Sequence, residues 1–265
     1  MSRQLCDQTV SDIGLGTWGM GGESRPDRSR DDICRDAIAY AIESGINVID
    51  TAEMYGAGHT EEIVGEVISS YERSKLFIIS KVWPSNLRHD SVINSAKNSL
   101  RRLGTPYIDL YLIHWPNSSV PIKETVSAME ELVALGHVKN IGVSNFSVPE
   151  LEEAMEAAQN NPICANQIKY NYGSRAVERD IIPFCEKNGI DVIAYTPIMK
   201  GATSPHRKLN EMARKYAATP VQMALRYTMQ RSFAIPKSSN RTHIDELLGA
   251  AGLNLTAEDY RILSE

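Results

Sequence analysis

The feature that most restricts the fold of this chain is a series of short apolar runs, rich in β-branched residues, that recurs along its 265 residues. Each run is too short for a helix and is bounded by turn-forming or polar residues, which is typical of a strand buried on both faces. There are seven such runs, at residues 46–49, 76–79, 108–113, 138–143, 163–166, 190–194 and 233–235. With residues 12–18 counted as the first strand, the sequence predicts eight strands.

Segments with helical spacing separate these strands. In one of them Ile63, Val64, Val67 and Ile68 recur at the intervals expected for one face of a helix. A strand followed by a helix, repeated eight times in about 250 residues, closes into a (β/α)8 TIM barrel, which is the predicted fold. A doubly wound open sheet is the alternative. No linker rich in Pro, Gly or Ser divides the chain, so residues 1–265 are predicted to form a single domain.

Composition narrows the range of functions. Hydrophobic residues make up 42% of the chain and charged residues 23%, as in a globular protein with a substantial core. The net charge of -5 and the scattered Lys and Arg residues argue against nucleic acid as a partner. The chain has no apolar run of about 18 residues and no apolar segment at its start. We therefore expect neither a membrane span nor secretion, and the predicted location is cytoplasmic.

The cysteines and histidines carry no clear pattern. Cys6, Cys34, Cys164 and Cys185 lie far apart in the sequence, without a Cys-x-x-Cys pair, so we expect buried thiols and no disulfide scaffold. The six histidines are isolated from one another in the sequence, and none shows ligand spacing with a Cys or carboxylate partner. No metal site is predicted.

Reactive residues in such a barrel lie where the strands end and the following loops begin. Four polar groups occupy successive strand ends: Asp50 and Tyr55 follow the second strand, Lys81 ends the third and His114 ends the fourth. Each has an ordinary structural explanation when taken alone, because tyrosines pack in cores, aspartates cap loops and lysines reach solvent. Together they form a proton donor, the Tyr55 phenol, with neighbouring groups that can shift its pKa.

A tyrosine phenol, with a pKa of about 10, is a weak acid at neutral pH. We expect Lys81 to lower the pKa of Tyr55 towards the working range, because a nearby cation favours the phenolate. Asp50 would hold Lys81 charged and in place. A neutral His114 would donate a hydrogen bond to a substrate carbonyl.

The later strand ends carry amide and hydroxyl groups beside an aromatic ring. Ser144 and Asn145 follow the fifth strand, Gln167 the sixth, and Tyr195 and Thr196 the seventh. Such groups suit a flat heteroaromatic amide such as nicotinamide.

After the eighth strand, residues 235–240, which include Lys237 and Ser238, lead into a helix. A helix N-terminus with a lysine and hydroxyl groups predicts an anion site that suits a phosphate. The other candidates for this site are Ser239, Asn240, His243 and Glu246. Plain helix capping explains Ser239 and Asn240 equally well.

In their order along the chain these segments resemble the motifs of the aldo-keto reductase family. The matching segments are residues 14–18, 50–56, 80–81, 112–116, 141–146, 166–167 and 235–238. The resemblance implies a catalytic tetrad of Asp50, Tyr55, Lys81 and His114. It also implies reduction of an aldehyde or ketone by NADPH, with hydride passing from the nicotinamide to the carbonyl carbon.

The resemblance implies roles at the cofactor site as well. The residues after the fifth and sixth strands would hold the carboxamide, Tyr195 would stack on the nicotinamide ring, and Lys237 with Ser238 would bind the adenosine 2′-phosphate. His243 and Leu247 depart from the Arg and Asn common at these positions in mammalian members of the family. NADH therefore stays an alternative to NADPH.

The predicted substrate wall is largely apolar and consists of Trp18, Met54, Trp83, Trp115 and Phe146. Few residues separate the fourth strand from the next helix, and the chain ends soon after its last helix. We therefore expect an open pocket with broad selectivity for small carbonyl compounds. Two alternatives stay open: an NADP-dependent dehydrogenase of a sugar or alcohol, and a regulatory subunit that binds the cofactor and contacts a partner. The oligomeric state is not indicated.

Overall fold

A computed structural model describes residues 2–202 and 206–265 of the chain, with every side chain except that of Ser2. The strands in these residues are β1 (Ser2–Leu5), β2 (Gln8–Ser11), β3 (Leu15–Gly16), β4 (Val48–Asp50), β5 (Phe77–Val82), β6 (Ile108–Ile113), β7 (Val138–Ser144), β8 (Ile163–Lys169), β9 (Asp191–Tyr195) and β10 (Phe233–Ile235). The α-helices are α1 (Asp31–Glu43), α2 (His59–Ile68), α3 (His89–Leu103), α4 (Ile122–Ala134), α5 (Val148–Ala157), α6 (Ile181–Asn188), α7 (Arg207–Lys215), α8 (Pro220–Thr228), α9 (Arg241–Ala251) and α10 (Ala257–Ser264).

Strands β3 to β10 form one parallel sheet in which neighbours in sequence are also neighbours in space. The sheet closes on itself where Ile13 bridges to Ala234 and where the Gly16 N–H donates to the Pro236 carbonyl oxygen over 2.9 Å. A Cβ atom on Gly16 would lie 2.9 Å from the carbonyl oxygen of Ile235, so the closure requires glycine there. The predicted (β/α)8 barrel is confirmed.

Side chains of the barrel strands alternate between two buried layers, as the two-residue period of a strand requires. Along β6, Leu110 and Leu112 fill the barrel interior, whereas Tyr111 and Ile113 pack among the surrounding helices. Burying an aliphatic side chain of this size stabilises the fold by roughly 1.5–3 kcal/mol. At the carboxyl ends of the strands the buried residues become polar, beginning with Asp50 on β4.

The antiparallel hairpin of β1 and β2, which was not predicted, packs against the interior of the barrel at the opposite end. Its turn residues Cys6 and Asp7 have positive φ angles of 45° and 59°. Cys6 forms a disulfide with Cys164 on β8, 158 residues away in sequence. The prediction of a free thiol is therefore wrong for this pair, because the hairpin lies directly beside the first residues of β8. Cys34 and Cys185 are buried free thiols, as predicted.

Strand bounds agree best with the prediction at β6 and β10, which match residues 108–113 and 233–235. The first barrel strand is shorter than the predicted residues 12–18, because only Leu15–Gly16 pairs continuously with β4. No described helix is long and apolar enough to cross a membrane. Within residues 2–202 and 206–265, no three His, Cys, Asp or Glu side chains lie close enough together to hold a metal ion.

Candidate active site

The carboxyl ends of the barrel strands surround a cavity of about 840 Å³. This volume falls in the range of roughly 300–1,000 Å³ that is typical of sites for small molecules. The predicted site residues that line it are Trp18, Asp50, Met54, Tyr55, His114, Trp115, Ser144, Asn145, Gln167, Tyr195, Thr196, Lys237, Ser238, His243 and Glu246. Those that do not line it are Lys81, Trp83, Phe146, Ser239 and Asn240.

Lys81 lies fully buried on β5 and brings the predicted tetrad together. Its ammonium nitrogen is 2.8 Å from Asp50 Oδ1 and donates to the Thr51 carbonyl oxygen over 2.8 Å and to the Tyr55 hydroxyl oxygen over 3.2 Å. An ammonium group has three N–H donors, so these three partners use all of them. The Tyr55 oxygen is therefore an acceptor towards Lys81, and the Tyr55 proton stays available for donation into the cavity.

A tight turn holds Tyr55 in this position. Tyr55–Gly58 forms a 3₁₀ turn shortly after β4, and Gly56 within it has a φ angle of 56°. A Cβ atom on Gly56 would lie 2.6 Å from the carbonyl oxygen of Gly21. Glycine is thus needed both for the left-handed backbone and for the close approach of the loop that follows β3.

Burial raises the pKa of Tyr55 well above its ordinary value, and the negative charge of Asp50 adds to the effect. Burial also lowers the pKa of Lys81, although Asp50 counteracts this by favouring the ammonium form. The expected lowering of the Tyr55 pKa is therefore wrong for this structure, since burial disfavours the phenolate and Asp50 already balances the charge of Lys81. Tyr55 keeps its proton at neutral pH, as a proton donor must.

His114 lies beside Tyr55, with 5.7 Å between the ring centroids. Burial lowers the pKa of His114 to about 3, and the charge of Lys81 contributes further. The imidazole is therefore neutral at neutral pH and carries a single N–H. Such a ring can donate a hydrogen bond to a carbonyl oxygen without bringing a second positive charge to the site.

Hydrogen bonds join the groups that follow β7, β8 and β9 into one wall. Asn145 donates through Nδ2 to the His114 carbonyl oxygen over 3.1 Å and accepts at Oδ1 from the Tyr195 hydroxyl over 2.9 Å. Ser144 Oγ donates to the carbonyl oxygen of Gln167 over 2.9 Å. Asn145 has a φ angle of 63°, a left-handed conformation that asparagine tolerates better than most residues. These bonds fix the Tyr195 ring at the edge of the cavity.

Gln167 connects this wall with the tetrad. Its Nε2 donates to Asp50 Oδ1 over 2.7 Å. Because a carboxylate can only accept, the amide nitrogen must face Asp50, and Gln167 Oε1 is left as an acceptor on the other side. An amide oxygen beside the hydroxyl and amide groups of Ser144 and Asn145 fits the carboxamide of a nicotinamide ring.

The other end of the cavity is formed by the residues that precede and begin α9. Lys237 and Ser238 line the cavity there, and a helix N-terminus with a lysine fits a phosphate group. Asn240 accepts a hydrogen bond from the His243 N–H over 3.2 Å and so caps the helix. The capping explanation therefore holds for Asn240, and Ser239 also lies outside the cavity.

Two tryptophans form an exposed aromatic rim. Trp18 is 39% exposed and Trp115 is 43% exposed, which is unusual for such large apolar side chains. The Trp18 ring packs edge-on against Tyr55, with the centroids 4.9 Å apart. Trp83 packs edge-on against His114 over 5.1 Å and supports that ring without lining the cavity.

Phe146 lies away from the cavity that it was predicted to line. Its side chain is 1% exposed and packs in the layer between the strands and the helices. The Phe146 carbonyl oxygen accepts from Asn166 Nδ2 over 3.1 Å, directly after the left-handed turn at Asn145. This turn directs the side chain outward into the core. The prediction that Phe146 contacts substrate is therefore wrong.

Parts of two loops that line the cavity were missed in the sequence. Ile198, Lys200 and Gly201 continue the loop after β9, and Glu23 lies in the loop after β3. All loops at the carboxyl ends of barrel strands surround the same mouth. Following each predicted loop as far as its next helix would have found these residues.

Comparison with known proteins agrees with this geometry. The family model described as "Aldo/keto reductase family" matches residues 12–265. Methylglyoxal reductase YeaE of Escherichia coli (strain K12) is 34% identical over 266 residues, which cover 98% of this chain and 92% of that protein.

Solved structures of related proteins have the same fold. The thermostable aldo-keto reductase Tm1743, in complex with the inhibitor epalrestat, matches with a TM-score of 0.95 and 42% identity over 99% of this chain and 98% of that one. An aldo-keto reductase from Klebsiella pneumoniae in complex with NADPH matches with a TM-score of 0.91 and 32% identity over 100% of this chain and 94% of that one. With the family model spanning nearly the whole barrel, the chain belongs to the aldo/keto reductase family.

Proposed function

We propose that this protein uses NADPH to reduce aldehydes or ketones to alcohols, with small α-oxoaldehydes such as methylglyoxal among its substrates. The observation that carries the proposal is the geometry at Tyr55, a neutral phenol that accepts from Lys81 and lines the cavity with its proton free. The choice of cofactor is supported by the Klebsiella pneumoniae relative, which was solved with NADPH. The choice of substrate is supported by the name of the Escherichia coli relative.

The proposed reaction needs one proton from the protein. NADPH, when bound, supplies the hydride that adds to the carbonyl carbon. Negative charge then develops on the carbonyl oxygen, and Tyr55 transfers its proton there, which leaves an alcohol and a phenolate. Lys81, 3.2 Å away, stabilises that phenolate, and Asp50 keeps Lys81 in place. His114 orients the carbonyl group, and water returns a proton to Tyr55 after the product leaves.

The rest of the cavity would hold the two reactants. The residues proposed for the nicotinamide end are Ser144, Asn145, Gln167, Tyr195 and Thr196. The residues proposed for the phosphate end are Lys237, Ser238, His243 and Glu246. The carbonyl compound would lie between Trp18, Met54 and Trp115, above Tyr55 and His114.

The test is a direct assay of the purified protein. NADPH and methylglyoxal are mixed with it, the loss of reduced-nicotinamide absorbance is followed, and the alcohol product is identified by chromatography. We expect turnover that requires the aldehyde. The proposal is overturned if NADPH binds and yet methylglyoxal, glyceraldehyde and nitrobenzaldehyde all remain unreduced.

A further inference from the structure

The cavity lining carries charged side chains of both signs. Lys237 lies after β10 and His243 and Glu246 lie on α9, at the proposed phosphate end, whereas Lys200 lies in the loop after β9. Glu23, in the loop after β3, is a lining carboxylate that belongs neither to the tetrad nor to the phosphate end. A substrate that approaches Tyr55 therefore enters a cavity whose wall carries this carboxylate.

The local backbone holds Glu23 next to the catalytic turn. Gly19 and Gly22 form an antiparallel bridge, and both have positive φ angles, of 77° and 108°. This glycine turn brings the Glu23 carbonyl oxygen to the Gly56 N–H, which donates to it over 2.7 Å. Gly56 directly follows Tyr55 in sequence. The position of Glu23 relative to the proton donor is thus fixed by backbone contacts that a change of its side chain leaves intact.

The tetrad itself brings little net charge to the cavity. His114 and Tyr55 are both neutral, and the charge of Lys81 is balanced by Asp50 beneath them. Glu23 is exposed and contributes a formal negative charge. This charge lies on the residue whose backbone is bonded to the turn that holds Tyr55.

We propose that Glu23 is a specificity-determining residue, which favours neutral carbonyl substrates over those that carry a carboxylate or phosphate group. This inference rests on the proposed reductase function. An anionic substrate meets repulsion from Glu23 both when it enters and when it lies at the aromatic rim. For two charges about 8 Å apart, at an effective permittivity of about 40–80, the repulsion changes an equilibrium by roughly 2- to 6-fold.

The test compares two benzaldehydes that differ in charge at one position: para-carboxybenzaldehyde, which is an anion, and its neutral methyl ester. The measured quantity is the ratio of kcat/KM for the anion to kcat/KM for the ester. We expect Glu23→Gln to raise this ratio roughly 2- to 6-fold at low salt. The increase should largely vanish in about 1 M salt, where the Debye length is about 3 Å. Glu152→Gln, the same change at an exposed site on α5, is the matched control and should leave the ratio unchanged.

The possible results separate the two proposals. If the unmodified protein reduces both aldehydes and Glu23→Gln leaves the ratio unchanged, the role of Glu23 is overturned while the reductase function stands. An equal rise from Glu152→Gln also overturns it, because net charge would then explain the effect. If the unmodified protein reduces neither aldehyde nor methylglyoxal, the reductase function itself is overturned, and the inference about Glu23 goes with it.

Discussion

Arg102→Met is expected to weaken the fold far more than a surface substitution, because Arg102 forms a buried ion pair behind the tetrad. The carboxylate of Glu61 on α2 accepts from Arg102 Nε over 2.7 Å and from Nη2 over 2.6 Å. The Ser80 hydroxyl donates to the same carboxylate over 2.5 Å, and Ser80 precedes Lys81 on β5. Glu61 therefore joins α2, the helix after the Tyr55 turn, both to Arg102 on α3 and to the strand that carries Lys81.

The contacts of the Arg102–Glu61 pair determine how much folding stability Arg102→Met should remove. Removing one member of a buried ion pair costs about 3–5 kcal/mol, because the other charge stays buried without a partner. The Glu61 side chain is 0% exposed and that of Arg102 is 23% exposed, and Ser80 still donates in the variant, so we expect a loss at the lower end, about 3 kcal/mol. Burial raises the pKa of Glu61, and Arg102 opposes that rise. Without Arg102 the folded-state pKa rises further above the unfolded value, so the loss is largest near neutral pH and shrinks as the pH falls towards about 5.

Guanidinium unfolding followed by circular dichroism, near neutral pH and again at about pH 5, measures this loss of stability. Arg101→Met is the matched control, since Arg101 is the exposed neighbour on α3 and donates to Asn98. The control should change stability by no more than about 0.5 kcal/mol. Equal losses in the two variants would refute the reasoning, as would a loss from Arg102→Met that stays constant on acidification.

Three further outcomes follow from the same structure. Reduction of the Cys6–Cys164 disulfide should lower the free energy of unfolding by about 2–5 kcal/mol, since it opens a loop of 158 residues. Thiol titration of the unfolded, unreduced protein should find only Cys34 and Cys185 free, and four free thiols would contradict the disulfide. Lys237→Ala should weaken NADPH binding about 10- to 150-fold and leave NADH binding unchanged in fluorescence titrations, whereas an equal effect on both cofactors would remove Lys237 from the phosphate site. Phe146→Ala should destabilise the fold by about 3–5 kcal/mol in unfolding experiments without changing KM for methylglyoxal, and a raised KM would return Phe146 to the substrate wall.

The barrel could be predicted because the sequence patterns that mark its strands and helix starts each lie within a few neighbouring residues. The run that forms β6 is apolar except for Asp109 and Tyr111, and its bounds match the prediction. Capping boxes at Ser147 and Thr219 likewise mark the starts of α5 and α8. The hairpin of β1 and β2 lacks such signals, because few of its side chains are apolar and its turn at Cys6 contains no glycine.

The parts of the fold and of the site that the sequence did not yield depend on contacts that sequence spacing does not reveal. The Cys6–Cys164 pair forms because the hairpin meets the first residues of β8, which no spacing in the sequence reveals. The pKa of Tyr55 depends on how burial and the charge of Asp50 weigh against Lys81, and residue identity alone gives only the signs of the charges. The outward direction of Phe146 follows from one left-handed residue before it.

The most direct test of the central claim is the activity of Tyr55→Phe with methylglyoxal and NADPH. The substitution removes the hydroxyl that accepts from Lys81 and leaves the buried ring, so the fold and the NADPH affinity should be retained. General acid catalysis contributes about 10²- to 10⁴-fold, and kcat/KM should fall by at least that factor. A variant that binds NADPH normally and reduces methylglyoxal within a few-fold of the unmodified protein would contradict the assignment of Tyr55 as the proton donor.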